Sequence, residues 1–441
     1  MSDSEFFSFI FTHWIGYMLL TFLCAFLCYK AIRKTTYGII DPAHYFFAFG
    51  SGTAYSVVII LYLYGYIDDY LAIMVLLNFI ILVITWRFSF SLNIKPIAGL
   101  RNALFREVDS NYKFSFKIIF VMYVVLTAYY LLNVSFSSFG ESRFEANKGL
   151  GVIVRILDVV RLLLSAMLAI NIYKTKNKLN RAIIIFFAIL VAVIASFVSG
   201  AKFSLLEHAL VSIAAIYIYS GVSPRINLKF LAISLVSFSA MIAYVLYILT
   251  FTSESIGYTS SQYTDLPVIF ELFLMRIIAN GDAYYFSLPY DTINRIVVEN
   301  PFIQLFGYIG GNGFVKTVFS YNYFDNDVGR LIWKQWYPWD DIARGPTSHF
   351  DLAGYVFFGF IGSLIMTSII GFIIGRISKA KYKNSGCMLP FTSSFLAVFY
   401  IRSLQLLLSP PVGIAYVVDM SVFLVAFSFV LLCLRFARTQ R

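Results

Sequence analysis

A chain of 441 residues that is 60% hydrophobic and only 13% charged is not an ordinary soluble domain, in which about a quarter of residues carry charge. The net charge of +11 would suit a nucleic-acid binder, but the positive residues lie between apolar runs rather than in one patch, so the excess reads as membrane topology. The apolar runs are continuous rather than alternating and reach about 18 residues or more, which excludes a β-barrel.

In chain order the apolar runs predict spans over residues 6–29, 43–63, 70–86, 116–136, 150–172, 182–199, 203–221, 230–251, 351–374, 388–408 and 412–434. This is an all-α polytopic membrane protein of about eleven transmembrane helices. The first run is too long for a signal-peptide core and no small-residue cleavage site follows it, so it reads as a retained helix. The connections at 30–36, 87–117, 173–181, 222–229 and 375–386, with the tail 435–441, hold 22 Lys and Arg; the opposite short loops hold only Arg143, Lys148 and Lys202. That asymmetry predicts a cytoplasmic C-terminus and an N-terminus outside. Cys24, Cys28, Cys387 and Cys433 fall on the cytoplasmic half, where neither a disulfide nor structural zinc is expected.

Ionisable residues inside spans are costly and point to function. Arg155, Asp158 and Arg161 share one helix face at i, i+3, i+6 spacing; Glu207 and His208 follow the Lys202 turn; Arg402 and Asp419 lie on the last two spans. At 1.5 Å per residue all lie within roughly 16 Å of the outer boundary. They fit two readings: ion pairs Arg155–Asp158 and Arg402–Asp419 that fix helix register, or a cationic pocket open to the outside that holds a diphosphate head group.

Three parts follow: residues 1–251 with eight spans, a long outer loop over 252–349, and residues 350–441 with three spans. The loop carries ten Asp and Glu against six Lys and Arg in an otherwise basic chain. PVIFELFLMRIIANGDAYYF has helical spacing with a stop at Gly281, and DTINRIVVENPFIQLFGYIGGNGF ends in a Gly-rich turn, so the loop is expected to be a partly helical cap over the outer surface. The run WKQWYPW holds Trp333, Trp336 and Trp339, which fit either an interfacial belt or a platform for sugar rings. The adjacent Asp340 and Asp341 would accept bonds from sugar hydroxyls. His349 stands where the loop enters the next span, a place for either a catalytic or a structural group. No P-loop, Gly-x-Ser-x-Gly, His-Glu-x-x-His or clustered His/Cys metal set occurs, and no internal repeat.

The passage GPTSHFDLAGYVFFGFIGSLI, with Pro346, Ser348, His349, Tyr355, Gly359 and Gly362, resembles the segment in which bacterial O-antigen polymerases of the Wzy type, and the related O-antigen ligases, leave their large periplasmic loop. SGAKFSLLEHAL resembles that family's cationic turn, with Lys202 where arginine is commoner. MRIIANGDAYYF resembles its loop helix with an arginine and a Gly-Asp pair, here Arg276, Gly281 and Asp282. Ala353 and Gly354 stand where the family often has a glutamate.

The resemblance implies a GT-C-like glycosyltransferase of the bacterial inner membrane, and since no metal-ligand set is evident in the sequence, catalysis without metal or cofactor is expected. The enzyme would polymerise repeat units carried on undecaprenyl diphosphate. Lys202, Arg276, Arg295, Arg330 and Arg344 would meet the leaving diphosphate, with Arg155, Arg161 and Arg402 below them, and His349 or Asp282 would take the hydroxyl proton. A flippase and a chain-length regulator of the same pathway are the implied partners. An O-antigen ligase, or a flippase itself, are the alternatives.

Overall fold

The computed structural model describes residues 1–93, 105–106, 108–134, 147, 149–199, 204–223, 228–255, 260–341 and 345–439. Among them the regular structure is helical, and eight helices are long and apolar enough to cross a membrane, so the chain is a polytopic helical membrane protein. The expected first span is two helices. Asp3–Thr12 (α1) starts with a capping box between Ser2 and Glu5, and His13 breaks it from Trp14–Ile32 (α2). A buried π-helical turn, His44–Ser51, leads into Gly52–Leu63 (α3). Then come Asp69–Ser91 (α4), Tyr112–Asn133 (α5), Gly151–Lys174 (α6), Lys178–Ser199 (α7), Ser204–Ser220 (α8) and Leu228–Ser255 (α9). The expected spans 150–172, 203–221 and 230–251 coincide with α6, α8 and α9. These helices are not among the eight; α6 carries three charges along its first three turns and α8 has 17 residues.

Long-loop residues form Val268–Ile278 (α10), Asp282–Ser287 (α11), Pro301–Phe319 (α12) and Val328–Trp336 (α13). Phe350–Lys383 (α14), Pro390–Leu408 (α15) and Pro410–Thr439 (α16) complete the chain.

Two packing arrangements set the bundle. From Leu162 to Ile170 every residue of α6 is buried, so that half of the helix is enclosed on all sides, by α5, α7, α8, α15 and α16. The second arrangement is the long seam between α4 and α14. Gly371 and Gly375, one turn apart, let α14 approach α4 so closely that a Cβ on Gly371 would meet the Leu82 carbonyl oxygen at 2.9 Å. Polar side chains then lock the register: Asn78 Nδ2 donates to Ser363 Oγ at 3.1 Å, and Ser89 Oγ donates to the Phe372 carbonyl at 2.7 Å.

α14 is not one straight helix. Gly359 adopts φ 69°, a left-handed conformation open to glycine, and Gly354 comes to lie against Ser363. Residues 350–358 therefore double back beside the helix that follows. Tyr70, at the start of α4, packs 5.3 Å from Phe360, which puts this turn at the end of the bundle where α1 and the loop residues gather, the cap end.

The loop is not only a lid. A Cβ on Gly281 would sit 2.7 Å from Val57 Cγ2, with Ala54 next nearest, so Gly281 lies against α3 six to nine residues before its end at Leu63. That is roughly 9–14 Å inside the bundle. Residues 279–288 thus form a wedge between helices, buried at Gly281 and from Ala283 to Leu288 and half-buried at Ala279, Asn280 and Asp282, so that protein covers most of this irregular backbone, as backbone at membrane depth requires.

Substituting Gly371→Val would force α4 and α14 apart at about 1–3 kcal/mol. Thermal unfolding in nanodiscs should show a lowered midpoint for Gly371→Val and little change for Gly16→Ala, whose surroundings are open.

Candidate functional site

Asp282 opens α11 on the wedge, where four segments meet. Its own chain supplies the Ala283 amide at 2.7 Å, the amide of Thr347 reaches it from the 345–349 segment, Asp3 of α1 lies nearby, and the Arg276 guanidinium approaches from α10. Burial pushes its carboxyl up to about 7, and the like charge of Asp3 adds to this, while the amides and Arg276 oppose it. Arg276 itself is exposed. Asp282 is thus a carboxyl that holds its proton more tightly than usual, within electrostatic range of a cation that faces solvent.

His349 is sealed beneath this point at 1% exposure. Its Nε2 lies 2.7 Å from the Asn280 carbonyl oxygen, its ring stacks on Tyr284 at 4.8 Å, and burial pushes its pKa down to about 4. A neutral imidazole donating to a backbone carbonyl holds the wedge; it has no open face for a substrate proton. Tyr284 donates to both oxygens of Asp351 (2.9 and 2.8 Å), and Tyr285 donates to Asp3 at 2.6 Å while stacking on Phe6 at 3.8 Å. Asp3, Asn280, Tyr284 and Tyr285 escaped the sequence reading. Only the capping box of α1 hinted at Asp3, and nothing local distinguishes two of the chain's 31 tyrosines. The glycine of GPTSH has a plain role: a Cβ on Gly345 would lie 2.5 Å from the Gly329 carbonyl oxygen, so only glycine lets this segment run along the start of α13.

WKQWYPW divides by exposure. Trp333 Nε1 donates to Asp340 at 2.8 Å and Trp336 Nε1 donates to the Phe286 carbonyl at 2.8 Å, so these two rings brace the cap. Asp340 is buried, and its carbonyl accepts from Arg330. Trp339, at 76% exposure, and Asp341 face outward. Arg295 is exposed and donates to the Tyr290 carbonyl.

The intramembrane charges are paired, but not as the sequence suggested. Arg155 grips Asp419 through two guanidinium nitrogens, with Nε 2.8 Å from Oδ2, instead of pairing with Asp158. Arg402 binds Glu207 at 2.9 Å instead of Asp419, and lies 3.8 Å from Asp158. Arg161 binds Asp158 at 2.8 Å, reaches Ser204 Oγ at 2.7 Å and lies 3.8 Å from Glu207. Spacing along one helix named the wrong partner for Arg155, and shared depth on the last two spans the wrong partner for Arg402; their acceptors Asp419 and Glu207 sit on α16 and α8. Arg161 and Arg402 are buried and each faces two carboxylates, so this network carries no surplus positive charge for a diphosphate.

A further pair lies at the opposite end of the bundle. Lys381, expected in a cytoplasmic loop, is 1% exposed; its Nζ contacts Asp41 Oδ2 at 2.5 Å, and Tyr400 donates to the other oxygen of Asp41 at 2.6 Å. An open groove of about 580 Å³ lies at that end too, lined by Asp109, Tyr112, Lys113, Lys174 and Leu389. Lys202 and Arg344 lie outside the described residues. Among the described residues no group of three His, Cys, Asp or Glu is placed to hold a metal. Comparison of the chain with family models, curated proteins and solved structures gave no match.

Two predictions follow from these pairs and burials. Arg402→Gln, which strands Glu207, should destabilise by about 3–5 kcal/mol, and adding Glu207→Gln should recover part of that loss in thermal unfolding. The two buried titrating groups act in opposite directions. The folded state disfavours His349 protonation, so stability is lost as pH falls from about 6.5 through 4; it disfavours Asp282 ionisation, so stability is lost as pH rises from about 4 through 7. The two windows overlap and the slopes oppose, so they offset in the parent: His349→Gln should give an unfolding midpoint that falls as pH rises from about 4 to 7, and Asp282→Asn one that falls as pH drops from about 6.5 to 4.

Proposed function

We propose that the chain is a membrane glycosyltransferase that polymerises oligosaccharide repeat units carried on undecaprenyl diphosphate, acting at the cap end on the periplasmic side of a bacterial inner membrane. The observation that carries this reading is Asp282, within electrostatic range of the exposed Arg276, on a wedge set among membrane helices. The topology proposed with it adds α6, α8 and α9 to the eight spans, giving eleven in a GT-C-like bundle, with the N-terminus periplasmic as the charge asymmetry predicts.

In the proposed reaction the acceptor sugar's hydroxyl gives its proton to the Asp282 carboxylate while its oxygen attacks the anomeric carbon of the donor. The bond from that carbon to the phosphate oxygen breaks, and the electron pair leaves with undecaprenyl diphosphate. Arg276, with Arg295 and the cationic positions Lys202 and Arg344, meets the charge that develops on the leaving group. Trp339 and Asp341 face outward where a glycan would pass. His349 and Arg330 act as positioning residues, and Arg155, Arg161 and Arg402 hold helices together. An O-antigen ligase would use the same chemistry on a different acceptor.

Lipid-linked oligosaccharide flipping is the second reading, favoured by one observation: a buried ion pair, Asp41–Lys381, at the end opposite the wedge, so that buried charge occurs toward both ends of the bundle. Purified protein with lipid-linked repeat unit, with and without chelator, separates these readings. Chain extension insensitive to chelator is expected, whereas movement of the unit across vesicles without extension would replace polymerisation by flipping. In cells, Asp282→Asn, Arg276→Ala or Lys202→Ala should leave lipopolysaccharide with a single repeat. Loss of all attached glycan would indicate a ligase, and normal ladders in all three variants would remove the site.

A further inference from the structure

The cap helix α12 is built inside out for a helix in water. Up to the break at Gly311 its outward face presents Phe302, Phe306 and Ile309 while Gln304 and Tyr308 are buried; beyond it Phe314 and Val318 are exposed together with Lys316 and Thr317, the apolar five being 43–66% exposed. Its neighbour α13 shows the ordinary order, burying Val328 and Ile332 and exposing Gln335. We propose that α12 is seated among the acyl chains of the bilayer, with this aromatic and aliphatic face against lipid tails.

Depth supports this. Arg155 Nη1 donates to the Ile309 carbonyl at 2.9 Å while its other guanidinium nitrogens hold Asp419. Asp419 lies nine residues beyond Pro410 in α16, one of the eight span helices, hence roughly 14 Å along it. The middle of α12 is therefore level with the apolar part of α16, and the two helices pack together. The backbone fits the same setting. Gly311, at φ 78° and ψ 168°, interrupts α12, and Arg155 supplies the donor for the Ile309 carbonyl beside that break, as backbone away from water demands. Asp419 balances the charge that Arg155 brings there.

Continuity completes the argument. Phe302 packs 5.6 Å from Phe358, and beyond the Gly359 turn α14 carries Ile361 and Ile365, exposed at 72% and 57%. On the other flank α16 exposes Val422, Val425 and Phe429. The apolar surface thus runs from α14 across α12 to α16, and one occupant, the bilayer, covers all three. This does not rest on the enzymatic reading.

Spin labels at Phe306→Cys and Val318→Cys in the full chain, with Cys387 and Cys433 replaced by Ser, test it in phospholipid nanodiscs. Each variant is first required to keep the parent's unfolding midpoint. Both labels are expected to relax several-fold faster with oxygen than with a water-soluble nickel chelate, and a label at Gln335→Cys to show the reverse order. Nickel-dominated relaxation at 306 and 318, matching position 335, would overturn the proposal in favour of a water-exposed face. Protection from both reagents with dipolar broadening would overturn it in favour of contact with a second copy of this chain.

Discussion

Charge taken out of water must find its opposite nearby, and the bundle is organised around meeting that demand. Arg402 on α15 reaches Glu207 on α8 and approaches Asp158 on α6; Arg161 on α6 binds Asp158 and Ser204; Arg155 ties α6 to α16 and, through a carbonyl, to α12. Apart from the tie to α12, each link joins α6 or helices packed on it, so the ionic contacts radiate from a helix whose second half is enclosed on all sides. Van der Waals packing alone would leave such helices free to slide, because lipid tails are as apolar as their side chains. A guanidinium that must stay opposite a particular carboxylate fixes both rotation and height.

The class of the protein was legible because hydropathy is a property of whole segments: eight of the expected spans overlap long apolar helices, the first of them only from Trp14 onward. The glycines of the FFGFIGSLI stretch also carried real information, since Gly359 is where the backbone turns on itself. Pairing was illegible for a physical reason. Arg155 and Asp158 share a helix face, yet Arg155 is satisfied 264 residues away by Asp419, and only the packing of α6 on α16 shows it. The ends of helices deceived in the same way. Lys381 reads like any lysine in a basic loop, and nothing in KAKYK says that one of its three lysines turns inward to Asp41.

The same limit applies to the wedge. Arg276, Asp282 and His349 could be picked out from residue type and motif, but their division of labour came from burial. His349 is walled in and bonded to Asn280, whereas Asp282 is half-buried and Arg276 is exposed. Residue type told what each group could do, and the surrounding helices decided what each was free to do. The fixed carboxylate partners of Arg161 and Arg402 likewise turn two attractive phosphate ligands into ties between helices.

The Asp41–Lys381 pair spans 340 positions of the chain. A ribosome adding roughly 5–20 residues each second needs about 20–70 s to travel that distance. Throughout that interval the nascent protein holds a carboxylate whose counter-ion has not been synthesised, so the early helices cannot close around Asp41 in their final form. Completion of this end must therefore come late in biogenesis, after α14 has been threaded into place, and any translation product cut short before α14 would carry an unsatisfied acid for quality control to find.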